Sequence, residues 1–148
     1  MCDDQTIYPH TPYEEYRMTT TDDYKEIYEE LIGFTPPKIQ HRIRAGLECN
    51  PEILDMVEKI REKAMYPDNI DTKTAQMILF AVLLSHVAPA SEFHARAAMR
   101  AGATKKELHD VSALAFLFRG LPAFNLGAQI INEVFDDPDK TIGNIFEK

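Results

Sequence analysis

The stretch Ser91–Asp110, SEFHARAAMRAGATKKELHD, decides the fold class, because two helices meet in it at one glycine corner. The first segment surrounds His94 with alanines at spacings of three, four and seven, which is the spacing of a single helical face. Gly102 ends that segment, and Thr104 with Glu107 forms a capping box that begins the next helix. The stretch therefore predicts two consecutive helices and places an imidazole on the face with the smallest side chains.

The same helix signals continue along the rest of the chain. Pro51 and Pro122 occupy first-turn positions, and apolar residues recur every three or four positions after them, as in the stripe Leu54, Val57 and Ile60. Strand signals, namely alternating β-branched runs and Asn-Gly hairpins, are missing.

The spacing of these helix signals sets the number of helices and the domain boundaries. We predict an all-α, single-domain helical bundle of about seven helices over residues 21–148. An arm at residues 1–20, with few helix signals, precedes it.

Composition and charge argue against several classes of function. A formal net charge of −8 leaves no basic surface for nucleic-acid phosphates. The longest apolar run, Met77–Leu84, is far shorter than the roughly 20 residues of a membrane-spanning helix. The N-terminus has no basic leader followed by an apolar core, and the two distant cysteines suit a reducing compartment. We expect a cytoplasmic protein with a small-molecule substrate and neither a nucleic-acid nor a membrane partner.

His94 is the first candidate for chemistry. Small residues beside the ring, Ala97, Ala98 and Ala101, either admit another helix or leave room for a ligand. Imidazole titrates near neutral pH, so it can accept or donate a proton. The competing interpretation is a histidine that donates one hydrogen bond inside a helix-packing seam. Periodicity alone does not choose between the two.

A metal site is the second interpretation of the same region. His86, Glu92 and His94 form an H-x5-E-x-H pattern, and all three side chains can ligate a metal. The spacing matches no established metal motif, and Glu92 also suits a helix N-terminus through the helix dipole. We therefore expect neither a metal nor another cofactor.

Three segments, DTKTAQMILFAVLLSH, HARAAMRAGATKKEL and FRGLPAFN, follow a known family pattern. The pattern is a histidine, two small residues, a GAT corner, an acidic-rich helix start and a YxGxPxxN turn. It falls on His94, Ala97, Ala98, Gly102, Ala103, Thr104, Glu107, Gly120, Pro122 and Asn125. From about Leu31 to Phe135 the chain thus resembles the carboxymuconolactone decarboxylase family, which also contains the AhpD-type alkylhydroperoxidases.

The resemblance argues against the peroxidase branch of that family. Its members carry a CxxC motif ahead of the histidine, at the positions of Val87 and Ala90 here. Neither side chain can act as a redox nucleophile. We therefore do not expect a CxxC-dependent alkylhydroperoxidase.

The decarboxylase branch needs no redox cysteine and implies a cofactor-independent lyase. Such an enzyme decarboxylates, or transfers a proton on, a small carbonyl, lactone or carboxylate compound. His94 would be the general acid/base, with Glu92 as a second catalytic carboxylate nearby, although Ala90 stands where the family's decarboxylases carry theirs. Arg96 or Arg119 would hold a substrate carboxylate through paired hydrogen bonds.

The remaining substrate-binding candidates are Phe118, Asn125 and His86. The turn before the last helix would line the pocket, and Phe118 replaces the tyrosine of the family pattern. The more apolar pocket leaves open a metal-dependent oxygenase, or an isomerase or cyclase on a more apolar molecule. A non-catalytic ligand-binding member of the fold also stays open.

The last helix carries more apolar surface than one small core absorbs. Members of the resembled family are commonly trimers or hexamers. We therefore predict a homotrimer or homohexamer.

Overall fold

A computed structural model describes residues 21–139 of the chain and contains seven α-helices in that range. No strand occurs among these residues, so the prediction of an all-α chain is confirmed there. The predicted arm at residues 1–20 lies outside the described residues. The helices are α1 (Thr21–Ile32), α2 (Pro37–Cys49), α3 (Pro51–Met65), α4 (Thr72–Ser85), α5 (Ser91–Arg100), α6 (Lys105–Arg119) and α7 (Leu121–Asp136).

Side-chain caps begin three of these helices. The Asn50 side chain accepts a hydrogen bond from the third residue of α3, and the Asp71 side chain does the same for α4. At α6 the predicted capping box is present. Thr104 Oγ1 accepts from the Glu107 backbone N–H at 3.2 Å, and a Glu107 carboxylate oxygen accepts from the Thr104 backbone N–H at 2.7 Å. Short polar residues thus fix where these three helices begin.

The main core lies among α4, α5, α6 and α7, where apolar side chains from all four helices are buried together. Gly127 lets α6 and α7 approach closely, because a Cβ there would lie 2.5 Å from Ser112 Oγ. Between α4 and α5 the chain turns back through Val87, whose φ of 51° is left-handed, and Pro89. α5 consequently packs against α4, which brings its histidine opposite the first half of α4.

The alanine face of α5 packs mainly against helices. Ala98 belongs to the main core, and Ala97 is buried against Leu31 and Ile32 of α1. Ala101 alone of these three is exposed. Small residues here serve close helix packing at two positions out of three.

The first three helices form a smaller cluster around Tyr24, Tyr28, Ile43 and Leu54. It contacts the main core through α1 and through the end of α3. This arrangement brings the inner face of α3 towards α4 and α5. None of the helices within residues 21–139 is both long and apolar enough to cross a bilayer.

The apolar stripe expected on α3 does not pack inward, and this is the main correction to the prediction from the sequence. Leu54 is buried, but Val57 is 44% exposed and Ile60 is 71% exposed. The face that packs inward instead continues from Leu54 to Glu58 and Arg61, at spacings of four and three. Two charged side chains thus replace apolar ones at the inner phase of this helix.

Candidate functional site

His94 lies in the first turn of α5 and faces α4. Its Nδ1 is 2.8 Å from Oε1 of the fully buried Gln76. An amide oxygen only accepts hydrogen bonds, so Nδ1 donates and Nε2 retains its lone pair. The Gln76 amide nitrogen points to Met65 Sδ at 3.9 Å, in keeping with this orientation. Within residues 21–139, Nε2 has no hydrogen-bond partner.

The His94 ring is neutral at physiological pH. Burial, together with the positive charge of Arg61, lowers the pKa of His94 to about 4. A neutral imidazole with a fixed Nδ1 proton offers one lone pair, which is a proton acceptor rather than a donor. The site as it stands therefore suits a general base better than a general acid.

Arg61 comes from the inner face of α3. Its Nε donates to Glu58 Oε2 at 2.8 Å, and its guanidinium carbon lies 3.9 Å from the centroid of the Tyr28 ring. Both terminal nitrogens, NH1 and NH2, are buried and have no hydrogen-bond partner. The guanidinium is therefore held in place while the two donors at its end remain unused.

Glu58 holds this cluster together. It is 2% exposed and accepts hydrogen bonds from Tyr28 Oη at 2.8 Å and from Arg42 at 2.7 Å, in addition to that from Arg61. Arg42 also donates to the Tyr28 hydroxyl. Burial disfavours the carboxylate, but the hydrogen bonds from Arg61 and Tyr28 and the charge of Arg42 outweigh burial and lower the pKa of Glu58. Two arginines and one glutamate leave the cluster with one net positive charge.

Tyr28 completes the cluster as a neutral phenol. Burial raises the pKa of Tyr28 to about 12, although the nearby Arg61 acts in the opposite direction. The hydroxyl therefore keeps its proton and donates it to Glu58 in a hydrogen bond. This donation leaves the carboxylate fully charged against the two guanidinium groups.

The structure places Glu92 and Arg96 away from the imidazole. They precede and follow His94 by two positions, so they point to the opposite side of α5. Both are buried and paired, with Arg96 NH2 at 3.4 Å from Glu92 Oε1. Arg96 NH1 donates to the carbonyl oxygens of Asp137 and Pro138, which follow α7. This pair ties α5 to the end of α7 and is not positioned to hold a substrate next to His94.

The other four candidates lie on the surface of the chain. Phe118 is 90% exposed, and Arg119, Asn125 and His86 are also exposed. No hydrogen bond or ion pair within residues 21–139 joins any of them to His94. A single chain therefore does not bring the predicted turn together with the imidazole.

The metal interpretation finds no ligand set in the described chain. His86 is exposed on the surface, whereas Glu92 is buried in its pair with Arg96. Across residues 21–139 no group of three or more histidine, cysteine, aspartate or glutamate side chains is arranged to hold a metal ion. His94, Glu92 and His86 thus do not converge there.

A hollow of about 410 Å³ lies beside this region, at the C-terminal half of α5. Its walls mix apolar and polar side chains: Glu30, Leu31, Tyr66, Thr72, Ala97, Arg100 and Ala101. Burial raises the pKa of Tyr66, and so does Glu30, while Arg61 lowers it. Tyr66 therefore lies within electrostatic reach of Arg61 and borders the hollow at the same time.

Sequence reasoning missed Gln76, Glu58, Arg61 and Tyr28. One signal existed for two of them, because Glu58 and Arg61 continue the helical phase of Leu54. The competing stripe through Val57 and Ile60 was more apolar and hid it. Ionised side chains are rarely buried unless they are paired, so a charged pair at an inner phase is itself an indication of a polar site.

Comparison with known proteins identifies a family that matches the chain. Residues 51–133, more than half of the chain, match the Carboxymuconolactone decarboxylase family. An uncharacterized 15.0 kDa protein in the nqo9–nqo10 intergenic region of Paracoccus denitrificans is 25% identical over 132 residues, covering 81% of this chain and 98% of that protein. No solved structure is significantly similar to the chain. The matched region contains Arg61, Gln76 and His94, and the chain belongs to the carboxymuconolactone decarboxylase family.

Proposed function

We propose that the protein is a cofactor-independent lyase or carbon-acid catalyst acting on a small carbonyl, lactone or carboxylate compound. In this proposal His94 moves the proton. Membership of the family supports a function like that of the carboxymuconolactone decarboxylases or the AhpD-type proteins at the level of the family. The observation that carries the finer proposal is the neutral imidazole with a free Nε2 and an Nδ1 held by Gln76.

The proposed chemistry begins with a carbon acid next to a carbonyl group. His94 Nε2 accepts the proton as the C–H bond breaks, and the electron pair moves onto the carbonyl oxygen as an enolate. The ring then carries a positive charge, and the Gln76 amide oxygen stabilises it through Nδ1–H. In the reverse direction the imidazolium returns the proton to carbon. In a decarboxylation, breaking of the C–C bond releases carbon dioxide and leaves the same enolate, and the ring would pass to its carbon a proton taken up from water.

The low pKa of His94 favours a second candidate, a ligand-binding protein without catalysis. An imidazole whose conjugate acid has a pKa of about 4 is a weak base, so it takes a proton from a weak carbon acid only slowly. In that case the histidine would only hydrogen-bond a ligand. The two candidates differ in what the loss of the imidazole does to proton transfer.

Exchange of carbon-bound hydrogen in D2O tests the proposal without knowledge of the final product. Small keto acids and carboxylated lactones are incubated with the full chain, and deuterium incorporation and carbon dioxide release are followed by NMR. We expect incorporation by the wild type and a loss of about 100-fold or more in His94→Ala, the usual contribution of a general base. His109→Ala is the matched control, since His109 is exposed. Equal rates in wild type and His94→Ala would rule out proton transfer by this residue.

We also propose that the chain assembles into a homotrimer or homohexamer. Leu114, Leu117 and Phe118 are 61–90% exposed and share one face of α6 at spacings of three and four, and Leu121 at the start of α7 is 62% exposed. Apolar stripes of this kind on one chain are typical of an interface. Light scattering of the purified protein measures the mass, and a monomer would contradict the proposal.

A further inference from the structure

We propose that NH1 and NH2 of Arg61 form an anion site next to His94, and that the natural ligand carries a carboxylate that binds there. The proposal deepens the proposed function and rests on it for the identity of this ligand as a substrate. It changes the assignment made from the sequence, in which Arg96 or Arg119 held the carboxylate.

The first support is that the guanidinium is fixed without the use of its terminal nitrogens. Glu58 takes the Nε hydrogen, and the Tyr28 ring covers one face of the group. Glu58 is itself fixed by the Tyr28 hydroxyl and by Arg42. A binding group held by its neighbours loses little freedom when a ligand arrives, so this arrangement is preorganised.

The second support is the free-energy cost of burying the terminal nitrogens of Arg61 without hydrogen-bond partners. Buried polar atoms in proteins almost always have a hydrogen-bond partner, and an ionised group without one is the more expensive exception. Arg61 has two such atoms on the same side chain. Elsewhere this chain satisfies the terminal NH1 of a buried arginine with main-chain carbonyls, as at Arg96. The open end of Arg61 is therefore a feature that needs a partner from outside residues 21–139.

The third support is chemical fit. The two terminal nitrogens of a guanidinium match the two oxygens of a carboxylate and form parallel, charge-assisted hydrogen bonds. The cluster of Arg42, Arg61 and Glu58 has one positive charge in excess, and a carboxylate would cancel it. A neutral ligand of the same shape would leave that charge uncompensated.

Binding at Arg61 would also change the state of His94. The positive charge of Arg61 is one of the two causes that hold the pKa of His94 down, the larger being burial. A bound carboxylate offsets that charge, so the imidazole becomes a stronger base only when the ligand is present. Among residues 21–139, Arg61 contacts Glu58 and Tyr28 directly and acts on Tyr66, and Arg42 adds a second positive charge by binding the same glutamate and tyrosine.

Access to the site requires a side chain to move, because both terminal nitrogens are covered in this structure. Met65 is a suitable candidate, since its thioether lies against Gln76 and an unbranched side chain repacks easily. The adjacent hollow, which Tyr66 borders, provides space for the rest of a small ligand.

NMR of the His94 ring in the full-length protein tests the anion site with acetate as the probe. The wild type is titrated with sodium acetate and, separately, with acetamide, its neutral isostere, at constant ionic strength. We expect a saturable change of the His94 signals with acetate alone and an increase of about tenfold or more in the proton affinity of the ring. The same response to both probes, or none to acetate, would overturn the proposal.

Arg61→Gln and Arg44→Gln form the matched pair of variants. Arg44 is exposed and pairs only with Glu48 within residues 21–139, so its loss should leave the acetate response as in the wild type. Arg61→Gln should abolish the response. A full response in folded Arg61→Gln would overturn the proposal. If that variant does not fold, the acetate and acetamide titrations of the wild type decide the question.

The same experiment separates this proposal from its competitors and from the proposed function. A His94 pKa above 6 in the ligand-free protein would mean that neither burial nor Arg61 lowers the pKa of the imidazole in the assembled protein, and would overturn the anion site. Acetate binding through Arg61 together with unchanged exchange in His94→Ala would support the anion site and reject catalysis. Loss of exchange in His94→Ala without acetate binding would do the reverse.

Discussion

Arg96 with Glu92 and Arg61 with Glu58 are buried pairs within residues 21–139, and they use their hydrogen bonds in opposite ways. Arg96 uses its terminal nitrogens for Glu92 and for the backbone after α7, and only its Nε has no partner. Arg61 uses Nε for Glu58 and leaves both terminal nitrogens without partners. The Arg96–Glu92 pair joins α5 to the residues that follow α7, whereas the arginine of the Arg61–Glu58 pair lowers the pKa of His94.

The difference shows why a buried ion pair does not by itself indicate a function. Arg96 is closer to the candidate histidine in sequence, but two helical positions turn it to the other side of α5. Arg61 is on a different helix, and yet its positive charge adds to burial in lowering the pKa of His94. Whether the terminal donors of the guanidinium are satisfied, and not burial, separates the structural pair from the candidate site.

Breaking the Arg96–Glu92 pair should have the largest effect on stability. Arg96→Met removes the buried salt bridge to Glu92 and the link to Pro138, so we expect a loss of about 3–5 kcal/mol in the free energy of unfolding. Urea denaturation of the variant and the wild type at pH 7 measures it. A loss below about 1 kcal/mol, the value typical of an exposed pair, would show that this contact is dispensable.

The pH dependence of stability should reveal the lowered pKa of His94, to which Arg61 contributes. The pKa of His94 is about 4 in the folded chain and about 6.5 when unfolded, so between these values the unfolded chain binds more protons. The free energy of unfolding should therefore decrease as the pH falls from 6.5 to 4, by on the order of 3 kcal/mol from this residue.

His94→Gln isolates that contribution. Urea denaturation at several pH values gives the difference between the wild type and the variant, in which the carboxylates common to both cancel. We expect the difference to vary with pH only in this window. A difference that is constant with pH would mean that His94 titrates alike in the folded and unfolded chain.

Removing Arg61 should have the smallest effect on stability, but it should change the pKa of His94. In Arg61→Met, Glu58 keeps its hydrogen bonds from Tyr28 and Arg42, so we expect a loss of less than about 2 kcal/mol. The pKa of His94 should rise, although not to its ordinary value, because burial remains the larger cause. NMR titration and urea denaturation measure the two effects. A loss as large as that of Arg96→Met would make the two pairs equivalent.

Much of the fold follows from local signals in the sequence. The Thr104–Glu107 capping box begins α6 where predicted, and the seven helices of residues 21–139 match the number expected. Asn50 and Asp71 begin α3 and α4 in the same local way. These features depend on residues within one helical turn of each other. They are therefore readable from the chain without knowledge of its packing.

Only part of the candidate site was predictable. His94 was found because its alanine-rich face is a local pattern, and the resemblance that named the family rests on residues close to it in sequence. The proposed partners of the imidazole were not found. The sequence favoured arginines near His94, and the distance along the chain was a poor guide to which guanidinium acts on the pKa of the ring.

The sequence by itself determined the helical class, the helix starts, the family and the single histidine at the centre of the site. Only the tertiary structure decided which face of α3 turns inward, and hence that Arg61 acts on an imidazole 33 positions further along the chain. The physical reason is range. Caps and helical periodicity are set within a few residues, whereas the environment of a buried charge depends on how helices distant in sequence pack together.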